Sequence, residues 1–448
     1  MERGFRTLLA TVEVLQPAFT RPGFRNAWVV FAGWVLTAGT HAVTQALVVT
    51  DVARRLHHER FHRFFSRGTW RADAVGRRLF GLLVARLAPA GRLCLALDDT
   101  LTPKKGPKVF GLGCHLDAVR STKRCRVFSF GHVWVIVALV VRVPFAARRW
   151  AFPVLFRLYR THRECQRTGA RYRKKTELGR ELVDLVAGWV PERPLDVVVD
   201  AAYCNATLTR GLPARVTVIG ALRPDAVLTA PPTAAARPGP GRPRTRGPLL
   251  PKPAQVFADP RWAWTTCQLA LYRRPRRVHY KTLAAQWYRG AGARLGRVVV
   301  VRVEEGAIRL RTFFCTDADR PAPDVLVAYA GRWAIEVCFK DLKQQLGFAD
   351  SSARKQAAVE RTAPFVGYSY VVLVLWFADG IWQTALAAPP IRPWYPHKRH
   401  ASFADVLRAA QRVLRPIDVL APARGFDNLP DIVTALRQPR NRARRQAA

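Results

Sequence analysis

Through the first 90 residues, apolar positions recur at three-to-four spacing with Arg and His between them. Residues 51–64 and 71–87 carry this helical period, and Ser66-Arg-Gly-Thr-Trp70 breaks them apart. Residues 27–50 form a long run without formal charge. His41, Gln45, several Thr and two Gly make it polar for a bilayer centre, so it reads as buried helix. Residues 364–376 are apolar but end too soon, at Asp379, to span a membrane.

From Arg92 the texture changes. Residues 92–99 are a short apolar run closed by two acids, Asp98 and Asp99. Residues 109–119 and 127–143, rich in Val, Phe and Trp, predict strands. Residues 150–160 and 176–189 predict helices. Residues 194–200 repeat the earlier pattern, an apolar strand ending in Asp200, and 215–222 predict a further strand. The fold class implied is mixed α/β. Pro, Ala, Gly and Arg dominate residues 231–253, a linker or loop. Within it, Gly241-Arg242-Pro243-Arg244 resembles an AT-hook, an extended basic segment suited to narrow minor grooves. Strands are expected at 265–272, 296–303 and 307–315, with Glu304-Glu305-Gly306 turning the last two into a hairpin. Apolar helices run on to about 388, and the tail from Pro439 is basic and Ala-rich.

Composition sharpens this picture. The 448 residues suffice for two or three domains, and 73 Lys and Arg against 31 Asp and Glu give a formal net charge of +42. The excess runs along the whole chain, so a polyanion is the expected partner, nucleic acid ahead of an anionic membrane. The eight cysteines have no CxxC spacing, which argues against zinc modules and suits buried thiols of a reduced cytosol. The N-terminus lacks a signal peptide's apolar core. His57, His58 and His62 cluster without a thiol or carboxylate partner at metal-site spacing.

Candidate chemistry concentrates in Tyr329, Arg332, Glu336 and Lys343, at offsets of 0, 3, 7 and 14. One helix would bring all four within roughly 60° of one another. Pro321 and Pro323 precede that helix, and Gly347 is its expected C-cap. Asp98 or Asp99 and Asp200, each ending a strand, add two more acids. Carboxylates gathered at one place repel unless cations share them, and hard oxygen ligands suit Mg2+ or Mn2+. Two such ions are a known solution for cutting and joining phosphodiesters.

The three acids, their order and their settings resemble those of DDE transposases with an RNase H-like core. The nearer resemblance is to the insertion-sequence-four family of bacterial cut-and-paste transposases. That family carries Tyr-x2-Arg-x3-Glu-x6-Lys, which Tyr329, Arg332, Glu336 and Lys343 match. Its second acid sits in Asp-x-(Gly/Ala)-(Tyr/Phe), matched by Asp200-Ala-Ala202-Tyr203, and its first acid is followed by Thr, as in Asp98-Asp99-Thr100. The resemblance covers about 92–350. It implies an RNase H-like mixed-sheet core at 91–222 and 323–390, interrupted by a β-rich insertion at 223–322. An N-terminal helical DNA-binding domain at 1–90 and a C-terminal helical region with a basic tail at 391–448 complete the expected organisation. It implies a catalytic, metal-holding set of Asp99, Asp200 and Glu336, with Asp98 as the alternative first acid, since strand alternation lets only one face the site. Two Mg2+ or Mn2+ ions are the implied cofactors. Tyr329, Arg332 and Lys343 are implied to clamp phosphates, and Lys104, Lys105, Arg242 and Arg244 are further candidate DNA contacts. The Arg171-Tyr-Arg-Lys-Lys175 run is a nonspecific one. Trp262, Trp264, Trp287 and Tyr288 are candidates to hold a flipped base. The implied function is binding of the inverted-repeat ends of an insertion sequence, followed by strand cleavage and transfer. A homodimer would pair the ends in a bacterial cytoplasm, at the nucleoid and without a membrane. A catalytically inactive DNA-binding descendant is the rival reading.

Overall fold

A computed structural model describes residues 2–232, 244–271, 274–303, 309–390, 393–394, 398 and 400–424. The Glu304–Gly306 turn, Arg242 of the hook-like segment and the C-terminal tail lie outside these residues. The chain opens with helices α1 (Glu2–Glu13), α2 (Arg21–Leu36), α3 (Val43–Val49), α4 (Glu59–Ser66) and α5 (Ala72–Leu87). Thr20 caps α2 by accepting from the Gly23 N–H, with Pro22 set inside the first turn where its missing donor is not needed. The uncharged 27–50 run thus becomes two helices, with Trp28, Trp34, Ala46 and Leu47 buried.

Strands β1 (Leu93–Pro103), β2 (Gly113–Leu116), β3 (Phe128–Val143) and β4 (Ala146–Tyr159) follow, then α6 (His162–Thr168), α7 (Lys175–Trp189) and β5 (Leu195–Val199). Next come α8 (Ala206–Thr209), β6 (Val216–Ala221), β7 (Leu228–Thr229), β8 (Leu249–Leu250) and α9 (Pro253–Ala258). The chain continues through β9 (Thr265–Leu271), β10 (Arg274–Gln286), α10 (Tyr288–Ala291), β11 (Leu295–Val303) and β12 (Arg309–Cys315). It ends in α11 (Ala322–Gly331), α12 (Trp333–Gln345), α13 (Gln356–Ala378), α14 (Phe403–Leu414) and α15 (Leu420–Arg424).

Two expectations are corrected. Residues 150–159 are strand, not helix: β4 pairs with β3 along its length, and both faces of Trp150–Phe156 are buried. A run apolar on both faces has no period to separate helix from strand. Pro153 is accommodated where the β3–β4 register shifts, next to Val137 and Ala138. The single helix expected across Tyr329–Lys343 is divided at Arg332, which ends α11 and caps α12. Arg332 keeps αR geometry (φ −53°, ψ −36°), and Ile335 N–H bonds back only three residues to its carbonyl, so the axis tightens there without unwinding. Gly347 behaves as expected, with φ +59° just past α12 and the Phe348 N–H reaching the Leu342 carbonyl at 3.0 Å.

β3 runs antiparallel to both β4 and β1, and β1, β5 and β6 run parallel. This order, β4-β3-β1-β5-β6, with helices on both faces, is an RNase H-like core. β12 adds to β6 and carries the sheet on through β11, β10 and β7 into the insertion. The insertion has a smaller core of its own around Leu228, Val256, Val298 and Phe314. One large core joins the helices of the first 90 residues, the β1–β6 sheet and α12–α14. α13 is long and apolar enough to cross a membrane, and most of it is buried inside the protein.

Candidate active site

The site forms where β1 runs past the end of β5. Leu97 pairs with Val199 in parallel register, so the next residues on each strand, Asp98 and Asp200, lie side by side on one face. α12 packs on that face against β1 and β4, and α7 covers the other. Alternation therefore sends the two neighbouring acids of β1 to opposite sides of the sheet.

Asp98 meets Arg332: Nη1 donates to Asp98 Oδ2 at 2.7 Å, and Nη2 donates to Glu336 Oε1 at 2.6 Å. The guanidinium bridges the first-strand acid and the helix acid in a two-pronged arrangement. The Asp98 carboxyl stands at about 7: burial raises it most, the Arg332 guanidinium opposes, and Asp200 and Asp99 add to the rise. Asp200 fixes its own loop, one carboxylate oxygen accepting from the Ala202 and Tyr203 N–H groups at 3.0 Å each. Among the described residues no three acid, His or Cys side chains are arranged to chelate an ion as they stand. Arg332 occupies the space between two of the three carboxylates.

Asp99 faces α7 instead. Its carboxylate accepts from Lys175 Nζ at 2.8 Å and from the Tyr203 hydroxyl at 2.9 Å. Burial and Asp99 together drive the Tyr203 phenol far above its ordinary range, so it stays a donor. The expected set of Asp99, Asp200 and Glu336 is thus not brought together on one face. The set that shares Arg332 or the Asp200 side is Asp98, Asp200 and Glu336.

The other candidates divide. Tyr329 packs on Phe313 with ring centroids 4.5 Å apart and lies beside the Arg332 guanidinium. Lys343, two turns beyond Glu336, has its pKa lowered by burial, with Asp117 opposing. Lys104 ties its own loop to the segment after α12, donating to the carbonyls of Ala349 and Ser351, so its ammonium faces protein. Lys105 and Arg244 are exposed. Of the 171–175 run, Lys175 holds Asp99 and Arg173 pairs with Glu181. Trp287 stacks edge-on against Phe314 and Trp264 against Phe257, while Tyr288 lies under Arg246 and Arg210.

A cleft of about 760 Å³ opens from Tyr329 and Arg332 toward the insertion. Arg276 and Arg277 of β10 and Arg302 and Arg311 of β11 and β12 line it. Sequence reasoning missed Arg276 and Arg277 because β10 was not recognised, and it left Arg302 and Arg311 unflagged within strands it did expect. The short alternation Val278-His279-Tyr280-Lys281 after Pro275 was the available signal for β10.

The model of the DDE superfamily endonuclease family matches residues 14–292. The chain belongs to that family. The matched span holds Asp98, Asp99 and Asp200 and stops short of Glu336. Among solved structures, the piggyBac transposase synaptic complex with hairpin DNA is similar at 9% identity and a TM-score of 0.42. That likeness covers 92% of this chain and 75% of that one. No curated protein matches the chain in sequence.

Proposed function

We propose that this DDE-superfamily endonuclease is a transposase that binds the inverted-repeat ends of an insertion sequence, cuts them and joins the freed 3′-OH to target DNA. The carrying observation is the Asp98–Arg332–Glu336 array beside Asp200 on one face of an RNase H-like sheet. The Tyr329, Arg332, Glu336 and Lys343 spacing supports placing it near the insertion-sequence-four transposases. The first acid in this reading is Asp98, because it shares Arg332 with Glu336 while Asp99 is held by Lys175 and Tyr203 on the far face.

The residues fit divalent cations. Three carboxylates offer hard oxygen donors, and Asp98 and Asp200 lie side by side where the paired strands end. Asp98, Asp200 and Glu336 would hold Mg2+ or Mn2+, two ions by family resemblance. A metal held there would supply the charge that activates an attacking oxygen and stabilises a leaving one. The protein supplies the rest. Arg332, Lys343 and the arginines of the adjoining cleft grip phosphates, and Tyr329 borders the path between them. Water attacks phosphorus in line, the P–O3′ bond breaks, and a 3′-OH and a 5′-phosphate remain. The same geometry then lets that 3′-OH attack a second phosphodiester, releasing its 3′-oxygen. Pairing two ends calls for a homodimer.

The test is cleavage of a labelled duplex bearing the repeat that flanks the gene, with Mg2+ or Mn2+ and with EDTA. Asp98→Asn, Asp200→Asn and Glu336→Gln should bind DNA and leave it uncut, a loss of at least about 100-fold. Asp99→Asn should retain measurable cutting. If Asp99→Asn is inert and Asp98→Asn cuts, the assignment of the first acid reverses. Metal-dependent binding without any cutting by the wild type would point to a DNA-binding descendant.

A further inference from the structure

We propose that the β2–β3 hairpin is a second DNA-contacting element, one that stacks on unpaired bases at an opened strand end. β2 is an edge strand of the sheet. Cys114 pairs with Phe130 and Leu116 with Phe128, so all four side chains share one face. That face is bare: Phe128 is 61% exposed, Phe130 63% and Leu116 50%. The opposite face is closed by buried His115 and Asp117. Asp117 also builds the connecting loop, accepting from the Val119 and Arg120 N–H groups and the Ser129 hydroxyl. The aromatic pair is therefore mounted on a braced hairpin.

Its position ties it to the site. Ile136 pairs with Asp98, and directly paired residues point the same way. Alternation carries that face back along β3 to Phe130 and Phe128, without a register shift in the β1–β3 pairing. The six residues from Ile136 to Phe130 span about 20 Å, roughly six nucleotides of rise along one strand.

Charge selects the occupant. The loop between the strands carries Arg120, Lys123, Arg124 and Arg126, all exposed, and its one acid, Asp117, is buried. A second copy of a chain with net charge +42 would bring like charges together. Nucleic acid neutralises the loop, and exposed aromatic rings beside phosphate-binding cations are the usual platform for bases free of their partners. Leu116 and the exposed Val119 widen the apolar surface.

The inference rests on the DNA-cleavage reading for its polymer, yet it is testable without catalysis. Binding of the full chain is measured in EDTA to a blunt duplex and to the same duplex with a forked end. The fork should bind about tenfold tighter. Phe128→Ser/Phe130→Ser should erase that preference, leave blunt-duplex affinity and melting temperature unchanged, and be rescued by Phe128→Trp/Phe130→Trp. Photocrosslinking of an iodouracil placed in the unpaired arm should map to Phe128 or Phe130. Equal affinity for fork and blunt end would overturn the proposal, as would a preference that survives the serine pair. So would a serine pair whose only effect is on oligomeric mass or on binding to vesicles of phosphatidylserine and phosphatidylcholine. Loss of cutting in the Glu336 variant with the fork preference intact separates this element from the catalytic assignment.

Discussion

At the residue scale, the decisive pair is Asp98 and Asp99. The sequence shows that one of two adjacent acids must face the site, because side chains alternate along a strand. It does not show which, since that depends on the register of β1 against β5 and on which helix covers which face. Arg332 was legible as a member of the array but not as a bridge, for the same reason: its contact to Glu336 is a local i,i+4 pair, but its contact to Asp98 joins positions 234 apart. As it stands, the guanidinium compensates the carboxylates that would hold a cation. Removing it should raise affinity for that cation while weakening the hold on phosphate. Arg332→Ala is expected to bind Mn2+ about tenfold tighter in the absence of DNA, by electron paramagnetic resonance of free ion, and to bind duplex more weakly. Arg332→Lys should fall between. Weaker Mn2+ binding in Arg332→Ala would mean that the arginine supports the metal site and does not compete with it.

At the element scale, strands and helices with a clear period were readable. β1, β3, β5, β6, β11 and α7 lie close to where apolar patterning puts them. β4 was not, because a segment buried on both faces carries no amphipathic signal. β10 was not, because its arginines look like solvent-facing loop until their partner strands are known. Two local devices show how polar groups stabilise elements here. Lys281, buried on β10, donates to the carbonyls of Val256, Phe257 and Asp259 at 3.0, 3.1 and 2.9 Å and lies over the Trp264 ring. It closes the C-terminus of α9 from outside the helix. Lys281→Met should cost about 2 kcal/mol in denaturant unfolding of the insertion, by leaving three carbonyls without that donor. Asp405, in the first turn of α14, accepts from Lys398, Ser402 and Arg408. Burial alone would push its carboxyl up, but these partners outweigh it and hold the pKa at about 2, below the ordinary 3.8. A depressed folded-state pKa gives stability that is present above the unfolded value and lost as pH falls through the folded one. The contribution, about 2 kcal/mol, should therefore be complete at neutral pH and fade from about pH 4 toward pH 2. Urea melts of wild type and Asp405→Asn should differ at pH 7 and converge in acid; a gap independent of pH would assign the effect to packing.

At the scale of the whole molecule, the first 90 residues look detachable in sequence, a basic helical stretch before the first strand. Their packing argues otherwise. Trp28 Nε1 donates to the Val419 carbonyl, Trp34 Nε1 to Leu346, and Trp376 Nε1 to Gly4, so buried indoles stitch the first helices to the last. Gly76 brings α5 so close to β4 that a Cβ there would lie 2.0 Å from the Val154 carbonyl oxygen. Such an approach admits no side chain without moving backbone, and backbone in a close-packed core moves its neighbours. β4 is hydrogen-bonded to β3, and β3 to β1, which carries Asp98. Strain introduced at Gly76 should therefore reach the strand that holds the first acid. The expected result for Gly76→Ala is a loss of about 1–3 kcal/mol, with amide exchange accelerating together in α1–α5 and in β1–β5. The insertion, with its separate core around Phe314, should keep its protection. Faster exchange confined to α1–α5 would show that these helices open as a unit of their own, leaving the β1–β5 sheet intact behind them.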